Sequence, residues 1–233
     1  MTEKRLTLVE HLEELRGGII RSLVCVIAAS CALYAFVDRI LPVLVRPVGR
    51  LVFIAPQEAF ISRIKIAFFG GLFLSVPFML YQVWRFVSSG LKPAEARYTL
   101  IFGPLSAVFF FIGAFFGYFV IVPIGIRFLL GFASEFLTPM ISVSKYISFV
   151  GVLSLSFGVI FELPLASLFL TKIGIITPGL LSAKRKHAAV AMFIAAAALT
   201  PPDIVTQCLM ALPLLALYEI SILFSKLARK RHG

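Results

Sequence analysis

Three glutamates lie close together just before the first long apolar run of the sequence. Glu10, Glu13 and Glu14 occupy three of the five positions 10–14. Cytoplasmic flanks of membrane spans normally favour Lys and Arg, so an acidic cluster there is unusual. Carboxylates bind guanidinium groups in bidentate fashion, which an ammonium group cannot reproduce. The cluster therefore predicts either a site for an arginine-bearing cationic peptide or acids that face water and pair locally.

A second acid stands alone in the segment 85–100. Glu95 is the one carboxylate there, among Arg85, Lys92 and Arg97. The acid is either a solvated loop residue or a second contact for the same cationic peptide. Because an exposed ion pair contributes only about 0 to 1 kcal/mol, two such contacts give selectivity only when they are partly desolvated, or when an apolar segment of the ligand adds affinity.

A third acid, Glu162, lies well inside an apolar run, in "SLSFGVIFELPL" at 154–165. A carboxylate at that depth costs about 2.5 to 3.5 kcal/mol on insertion scales, so it must face protein or a water-filled cavity. Pro164 removes a backbone donor and is expected to bend the helix near Ile160. Glu162 is then a structural buried acid, the proton site of a carrier, or part of a polar groove for a larger ligand.

The composition is that of a polytopic helical membrane protein. Of the 233 residues, 60% are hydrophobic and 14% are charged, and the mean hydropathy is +1.02. A soluble domain carries roughly a quarter charged residues. No catalytic triad, nucleotide-binding loop or metal-ligand spacing is present, so we expect no enzyme and no cofactor. The basic residues follow the spans without exposed aromatics between them, which argues against a nucleic-acid partner.

Six transmembrane helices are predicted in a single domain covering 1–233. Their approximate bounds are 19–37, 64–84, 100–123, 146–171, 187–200 and 204–224. The last two are short: about 13 residues in the fifth give about 20 Å, against a hydrocarbon core of about 30 Å. Of the 22 Lys and Arg residues, 15 fall on the side of the two termini. This excess predicts that both termini are cytoplasmic.

The connections between the spans carry further predictions. The outer segments 38–63 and 124–145 are too long and too apolar for flexible linkers, so we expect short helices that cap the outer face. The Pro-Pro pair of "LTPPDIV" at 199–205 predicts a tight turn. In the third span, Gly113 and Gly117 form a GxxxG motif that permits close packing of helices.

Six motifs of the chain resemble those of the TatC family, the multi-spanning receptor subunit of the twin-arginine protein translocase. In order along the chain they are "HLEELR" (11–16), "SVPFMLYQVWRF" (75–86), "GLKPAEAR" (90–97), "GYFVIVP" (117–123), "FGVIFELP" (157–164) and "LTPPDIVTQ" (199–207). The resemblance covers essentially the whole chain. It implies an all-α, six-helix bundle with a concave surface open to lipid.

The resemblance also implies which residues act. It assigns the paired arginines of a signal peptide to Glu14 and Glu95, with Leu15, Arg16 and Phe86 in the same site. An intramembrane polar or partner site is implied at Glu162, Asp203 and Gln207, and structural roles at Pro47, Pro77 and Pro164.

The function implied by the resemblance is the export of folded proteins across the bacterial cytoplasmic membrane, driven by the proton-motive force. The expected partners are single-span subunits of the TatA and TatB type, signal peptides of folded cargo, and further copies in a larger complex. Two alternatives from other classes remain at this stage. One is a proton-coupled small-solute transporter centred on Glu162, and the other is an assembly factor that binds no peptide.

Overall fold

The computed structural model describes residues 8–49, 51–92, 96–134, 139–199 and 204–230 of the chain. These residues are almost entirely helical, with one isolated parallel β-bridge between Val52 and Ser142. The helices are α1 (Leu8–Tyr34), α2 (Val37–Val45), α3 (Pro56–Ser89), α4 (Thr99–Phe116), α5 (Val122–Leu130), α6 (Val143–Ile160), α7 (Glu162–Lys172), α8 (Pro178–Ala183), α9 (Arg185–Leu199) and α10 (Ile204–Lys230).

The predicted spans lie on helical segments, but their bounds differ from those of the helices, and the third and fourth predicted spans are each divided between two helices. Five segments are long and apolar enough to cross a membrane, namely Val9–Tyr34, Pro56–Ser89, Thr99–Leu130, Val143–Lys172 and Gln207–Ala228. The fifth predicted span corresponds to α9, which has only 15 residues. Many large apolar side chains on these helices are exposed, which is the arrangement that lipid contact favours.

Two of the long segments contain an irregularity. A π-helical turn, Gly117–Ile121, joins α4 to α5. In the other segment, α6 ends at Ile160 and α7 begins at Glu162, with Phe161 between them. Pro164 has no backbone N–H to donate to the Ile160 carbonyl, so the predicted interruption before Pro164 is confirmed.

The segments 38–63 and 124–145, for which short capping helices were predicted, are partly helical. The first contains the nine-residue helix α2. The second begins within α5, which continues the third span through the π turn and ends at Leu130.

The chain divides into two compact units, the first formed by Met1–Ala107 and Ile141–Ser148. In this unit α1 packs directly on α3, and a Cβ added at Gly71 would lie 2.5 Å from the Ser30 nitrogen and 2.6 Å from its Cα. A methyl group cannot be placed there unless the two backbones separate. Gly71 therefore sets how closely the two helices approach.

A polar network holds α3 to the start of α6 in the same unit. The Lys65 ammonium donates to the hydroxyls of Ser144 and Ser148, both at 2.7 Å. The Ser142 hydroxyl donates to Glu58 Oε1 at 3.1 Å. These contacts provide partners for two ionisable groups of a membrane-spanning helix, as a low-dielectric surrounding requires.

The second unit is formed by Val108–Met140 and Phe149–Gly233. Here a Cβ at Gly113 would lie 2.5 Å from the Phe157 carbonyl oxygen, and one at Gly117 would lie 3.1 Å from Ser154 Cα. The predicted close packing at the GxxxG motif is confirmed. Near the end of the chain, α10 is held by hydroxyl contacts such as Thr171 to Ser225 at 2.6 Å.

The neighbouring glycines of α3 give a matched test of the α1–α3 packing. We expect Gly71→Ala to destabilise the protein, because overpacking costs about 1 to 3 kcal/mol and exceeds the gain of up to about 1 kcal/mol in helix propensity. Gly70→Ala is the control, because a Cβ there meets only the flexible tip of Leu33 at 3.0 Å. Thermal unfolding in detergent should give a lower midpoint for Gly71→Ala than for Gly70→Ala. Equal midpoints would contradict the close approach.

Candidate functional site

Glu14 lies in the second turn of α1 and faces α3. Its Oε1 is 3.7 Å from the Nε of Arg85, with 23% of the Glu14 side chain and 48% of the Arg85 side chain exposed. This distance is long for a charge-assisted hydrogen bond, which is usually about 2.7 to 2.9 Å. The carboxylate is thus partly desolvated and only loosely neutralised by its neighbour.

An aromatic contact fixes the start of α1 against the end of α3. The rings of His11 and Phe86 stack with centroids 4.2 Å apart and an interplanar angle of 18°. The Ser89 hydroxyl lies 3.3 Å from His11 Nδ1. Because His11 and Phe86 flank the Glu14–Arg85 pair in sequence, this stack determines where the pair is held.

An open groove of about 490 Å³ runs between α1 and α3 from this point. On α1 the lining residues recur at every fourth position of one helix face, namely Glu14, Gly18, Ser22 and Val26. Beside them on α1 lie Leu15, Ile19 and Leu23. The lining residues of α3 are Phe68, Leu72, Met79, Gln82, Val83 and Phe86. From Glu14 to Val26 the groove covers about 18 Å along α1. Glu14 is the one carboxylate of an otherwise largely apolar lining.

The other predicted peptide-site residues are placed as follows. Leu15 and Phe86 line the groove with Glu14, so the structure brings three of the five together. Arg16 is exposed on the next position of α1. Glu95 lies outside the described residues, and its position relative to Glu14 stays a prediction.

In the second unit, Glu162 is the first residue of α7 and is half-buried. Gly151, Ser154 and Gly158, which precede it at helical spacing, are buried. The Phe110 ring fills the space beside Gly158, because a Cβ added there would lie 2.7 Å from that ring. The small residues therefore serve close packing of the helices in this unit.

The outer polar motif is described only in part. The Gln207 amide, at the start of α10, donates from Nε2 to the Phe193 carbonyl of α9 at 3.1 Å. Asp203 lies outside the described residues. Of the predicted structural prolines, Pro164 is buried, whereas Pro47, after α2, and Pro77, inside α3, are exposed.

Two residues at this site were not singled out from the sequence. Arg85, beside Glu14, was named only as one of the basic residues around Glu95 and among the charges that orient the protein, and Gln82, in the groove, only as a letter of a motif. A usable signal existed for Gln82, since it is a polar residue inside the apolar run of α3, four positions before Phe86. No local signal identifies Arg85 as the neighbour of Glu14, because the two are 71 positions apart.

The comparisons with known proteins identify the family of the chain. Residues 10–213 match the family model "TatC: Sec-independent protein translocase protein (TatC)". The chain is 43% identical to the Sec-independent protein translocase protein TatC of Carboxydothermus hydrogenoformans, over 99% of this chain and 97% of the relative. It is 39% identical to TatC of Aquifex aeolicus, over 96% of each chain.

A solved structure extends the likeness to the fold. The crystal structure of a twin-arginine translocase receptor, TatC, superposes with a TM-score of 0.87 at 38% identity, covering 94% of this chain and 100% of that one. The family model and the relatives cover almost the whole sequence, and the solved structure has the same helical architecture. The chain belongs to the TatC family of Sec-independent protein translocase proteins.

Proposed function

We propose that this protein is a receptor for twin-arginine signal peptides and a core subunit of the Sec-independent translocase, which exports folded proteins. One observation carries the proposal: a partly desolvated carboxylate, Glu14, lies at one end of an apolar groove, and its ion-pair partner among the described residues, Arg85, is 3.7 Å away. A signal peptide has the matching order of groups, with arginines before an apolar stretch.

An arginine of the incoming peptide fits Glu14 better than Arg85 does in the structure. Elsewhere in the chain, Arg185 and Glu219 form a two-point ion pair, with Nε–Oε1 at 2.8 Å and Nη2–Oε2 at 2.9 Å. Arg85 approaches Glu14 through Nε at 3.7 Å. An incoming guanidinium that forms two hydrogen bonds with the Glu14 carboxylate binds it more strongly than Arg85 does. The second arginine is assigned to Glu95.

The groove supplies affinity and the carboxylates supply selectivity. A surface ion pair contributes about 0 to 1 kcal/mol, whereas burial of one Leu or Phe side chain contributes about 1.5 to 3 kcal/mol. Two or three apolar peptide residues in the groove between Leu15 and Val26 therefore outweigh both ion pairs. The acids then decide which apolar segment is accepted.

The remaining assignments concern assembly. We assign Glu162, Gln207 and Asp203 to contacts with the inserted peptide and with single-span partners of the TatA and TatB type. The protein is placed in the bacterial cytoplasmic membrane as a single domain with six spans, both termini inside and a concave, lipid-open surface. Transport is not an enzymatic step of this chain and draws on the proton-motive force.

The first prediction compares two signal peptides that differ only at the paired basic residues. An Arg-Arg peptide should crosslink to the purified protein more strongly than its Lys-Lys counterpart, and Glu14→Gln and Glu95→Gln should each remove that preference. Glu58→Gln is a control, because Glu58 already accepts hydrogen bonds from Ser142 and Ile54 elsewhere in the first unit. Equal crosslinking of both peptides, unchanged in the two variants, would refute the receptor site.

The second prediction concerns the resident partner of Glu14. We expect Arg85→Gln to tighten the binding of an Arg-Arg peptide about two- to five-fold, because the peptide no longer displaces an exposed ion pair. Affinity should be measured by fluorescence anisotropy. Arg185→Gln, which removes a similarly exposed arginine from the second unit, should leave it unchanged.

A double-variant cycle separates direct contact from general repulsion. In a Glu14→Gln background, Arg85→Gln should no longer change the affinity. An undiminished gain in that background would show that Arg85 acts only through long-range charge, which would contradict competition for Glu14.

The third prediction concerns Glu162. Glu162→Ala should lower copurification of TatA- and TatB-type subunits and reduce transport of folded cargo, while binding of the Arg-Arg motif at Glu14 stays intact. Glu162→Gln separates charge from hydrogen bonding, because the amide keeps the size and polarity of the side chain. Normal partner assembly and transport in Glu162→Ala would count against this assignment.

A further inference from the structure

Gln82 lies in the wall of the groove, and its amide has no hydrogen-bond partner among the described residues. Only 7% of the whole residue is exposed, but its amide atoms are not among the fully buried side-chain atoms that lack a partner, so they reach the open space of the groove. The α3 residues beside it in the groove, Met79, Val83 and Phe86, offer no hydrogen-bonding side chain. An amide in an apolar wall is stabilised by a ligand that supplies the hydrogen bonds it lacks.

Gly18 leaves room in front of this amide. A Cβ added at Gly18 would lie 3.9 Å from Gln82 Oε1, so any larger side chain at position 18 would fill the space that the amide faces. Both residues line the groove. The donor and acceptor of Gln82 are therefore accessible to a molecule that lies in the groove.

We propose that Gln82 binds the main chain of the signal peptide, as a further recognition residue of the groove; this rests on the proposed receptor function. A carboxamide carries an N–H donor beside a C=O acceptor, and the N–H and C=O of one residue in an extended chain, which point to the same side, present the complementary pair. The Gln82 amide therefore finds both hydrogen-bond partners on a peptide backbone in extended conformation, where the N–H and C=O groups are free. A helical peptide does not offer them, because its N–H and C=O groups are bonded to each other. A lipid acyl chain satisfies neither group.

The position of Gln82 sets the register of the contact. Gly18 follows Glu14 by four positions, which is about 6 Å along α1. An extended peptide advances about 3.3 to 3.6 Å per residue. The bonded peptide group therefore lies about two residues beyond the arginine held by Glu14. Recognition at this point is independent of side-chain identity, which suits a receptor for peptides that share only an arginine pair and an apolar stretch.

The test combines a protein variant with peptides altered in the backbone. Gln82→Met keeps the length and volume of the side chain and removes its hydrogen bonds. We expect it to weaken binding of an Arg-Arg peptide to the full-length protein about three- to ten-fold, the usual range for one neutral hydrogen bond. Gln57→Met, an exposed position at the start of the same helix, should leave the affinity unchanged.

Backbone esters locate the contact. Replacing the amide by an ester at each of the three residues after the arginine removes one N–H at a time. The ester at the second residue should weaken binding to the native protein by no more than Gln82→Met does, because it removes one of the two hydrogen bonds, and should have no further effect in that variant. Unchanged affinity of Gln82→Met, or fully additive losses at every ester position, would overturn the proposal.

Two readouts distinguish this proposal from neighbouring explanations. Thermal unfolding of Gln82→Met should occur at or above the native midpoint, because an amide without an internal partner does not stabilise the fold; a clear decrease would show a structural role and overturn the inference. Glu14→Gln is measured in parallel. When Glu14→Gln weakens binding and Gln82→Met does not, only the inference fails; when Glu14→Gln has no effect, the receptor site itself fails.

Discussion

The close approach of α1 and α3 at Gly71 is the constraint on which the rest of the binding site depends. The two backbones meet at Ser30 and Gly71, and near the other end of the pair they are joined by the stack of His11 on Phe86. Between these two contacts the helices leave the groove that begins at Glu14. A larger residue at the first contact would change the separation along the whole groove, since packed helices are rigid on the scale of one methyl group.

The two kinds of recognition in the groove follow from the solvent at each position. Glu14 lies at the end where water still reaches a quarter of its side chain, so its ion pair is weak and open to exchange. The apolar lining further along α1 and α3 removes peptide side chains from water and supplies the larger free energy. With the proposed function, a receptor built this way would accept many apolar segments and select for arginine, because a guanidinium binds both carboxylate oxygens and an ammonium does not.

Much of the fold could be predicted from the sequence, because hydropathy and helix-breaking residues act locally. The apolar runs gave the spans, Pro164 gave the interruption at Phe161, and the GxxxG motif gave the packing at Gly113. The helix ends were missed, since hydropathy reports only the part of a helix that lies in lipid and α3 continues beyond it to Ser89. The Arg85–Glu14 pair was missed because only tertiary packing brings the two together.

Glu219 illustrates the same limit and bears on the alternative function. A carrier centred on Glu162 needs a second intramembrane charge, and for that role the sequence offers only Glu219, close to the end of the last predicted span. In the structure its two oxygens are held by the guanidinium of Arg185, from a helix that begins 34 positions earlier. Membership of the TatC family does not favour the carrier.

Two polar groups of the groove, the Glu14 carboxylate and the Gln82 amide, are poorly paired among the described residues, and this supports a role in binding. The carboxylate has a loose partner and the amide has none among the described residues, although both sit on helices that elsewhere satisfy their polar groups, as Lys65 and Glu58 do. Proteins keep poorly paired polar groups mainly where a ligand binds to them. Binding sites are therefore less stable than the rest of the fold. The same two helices thus contain a satisfied polar network where they hold the fold and unsatisfied polar groups where a peptide can enter.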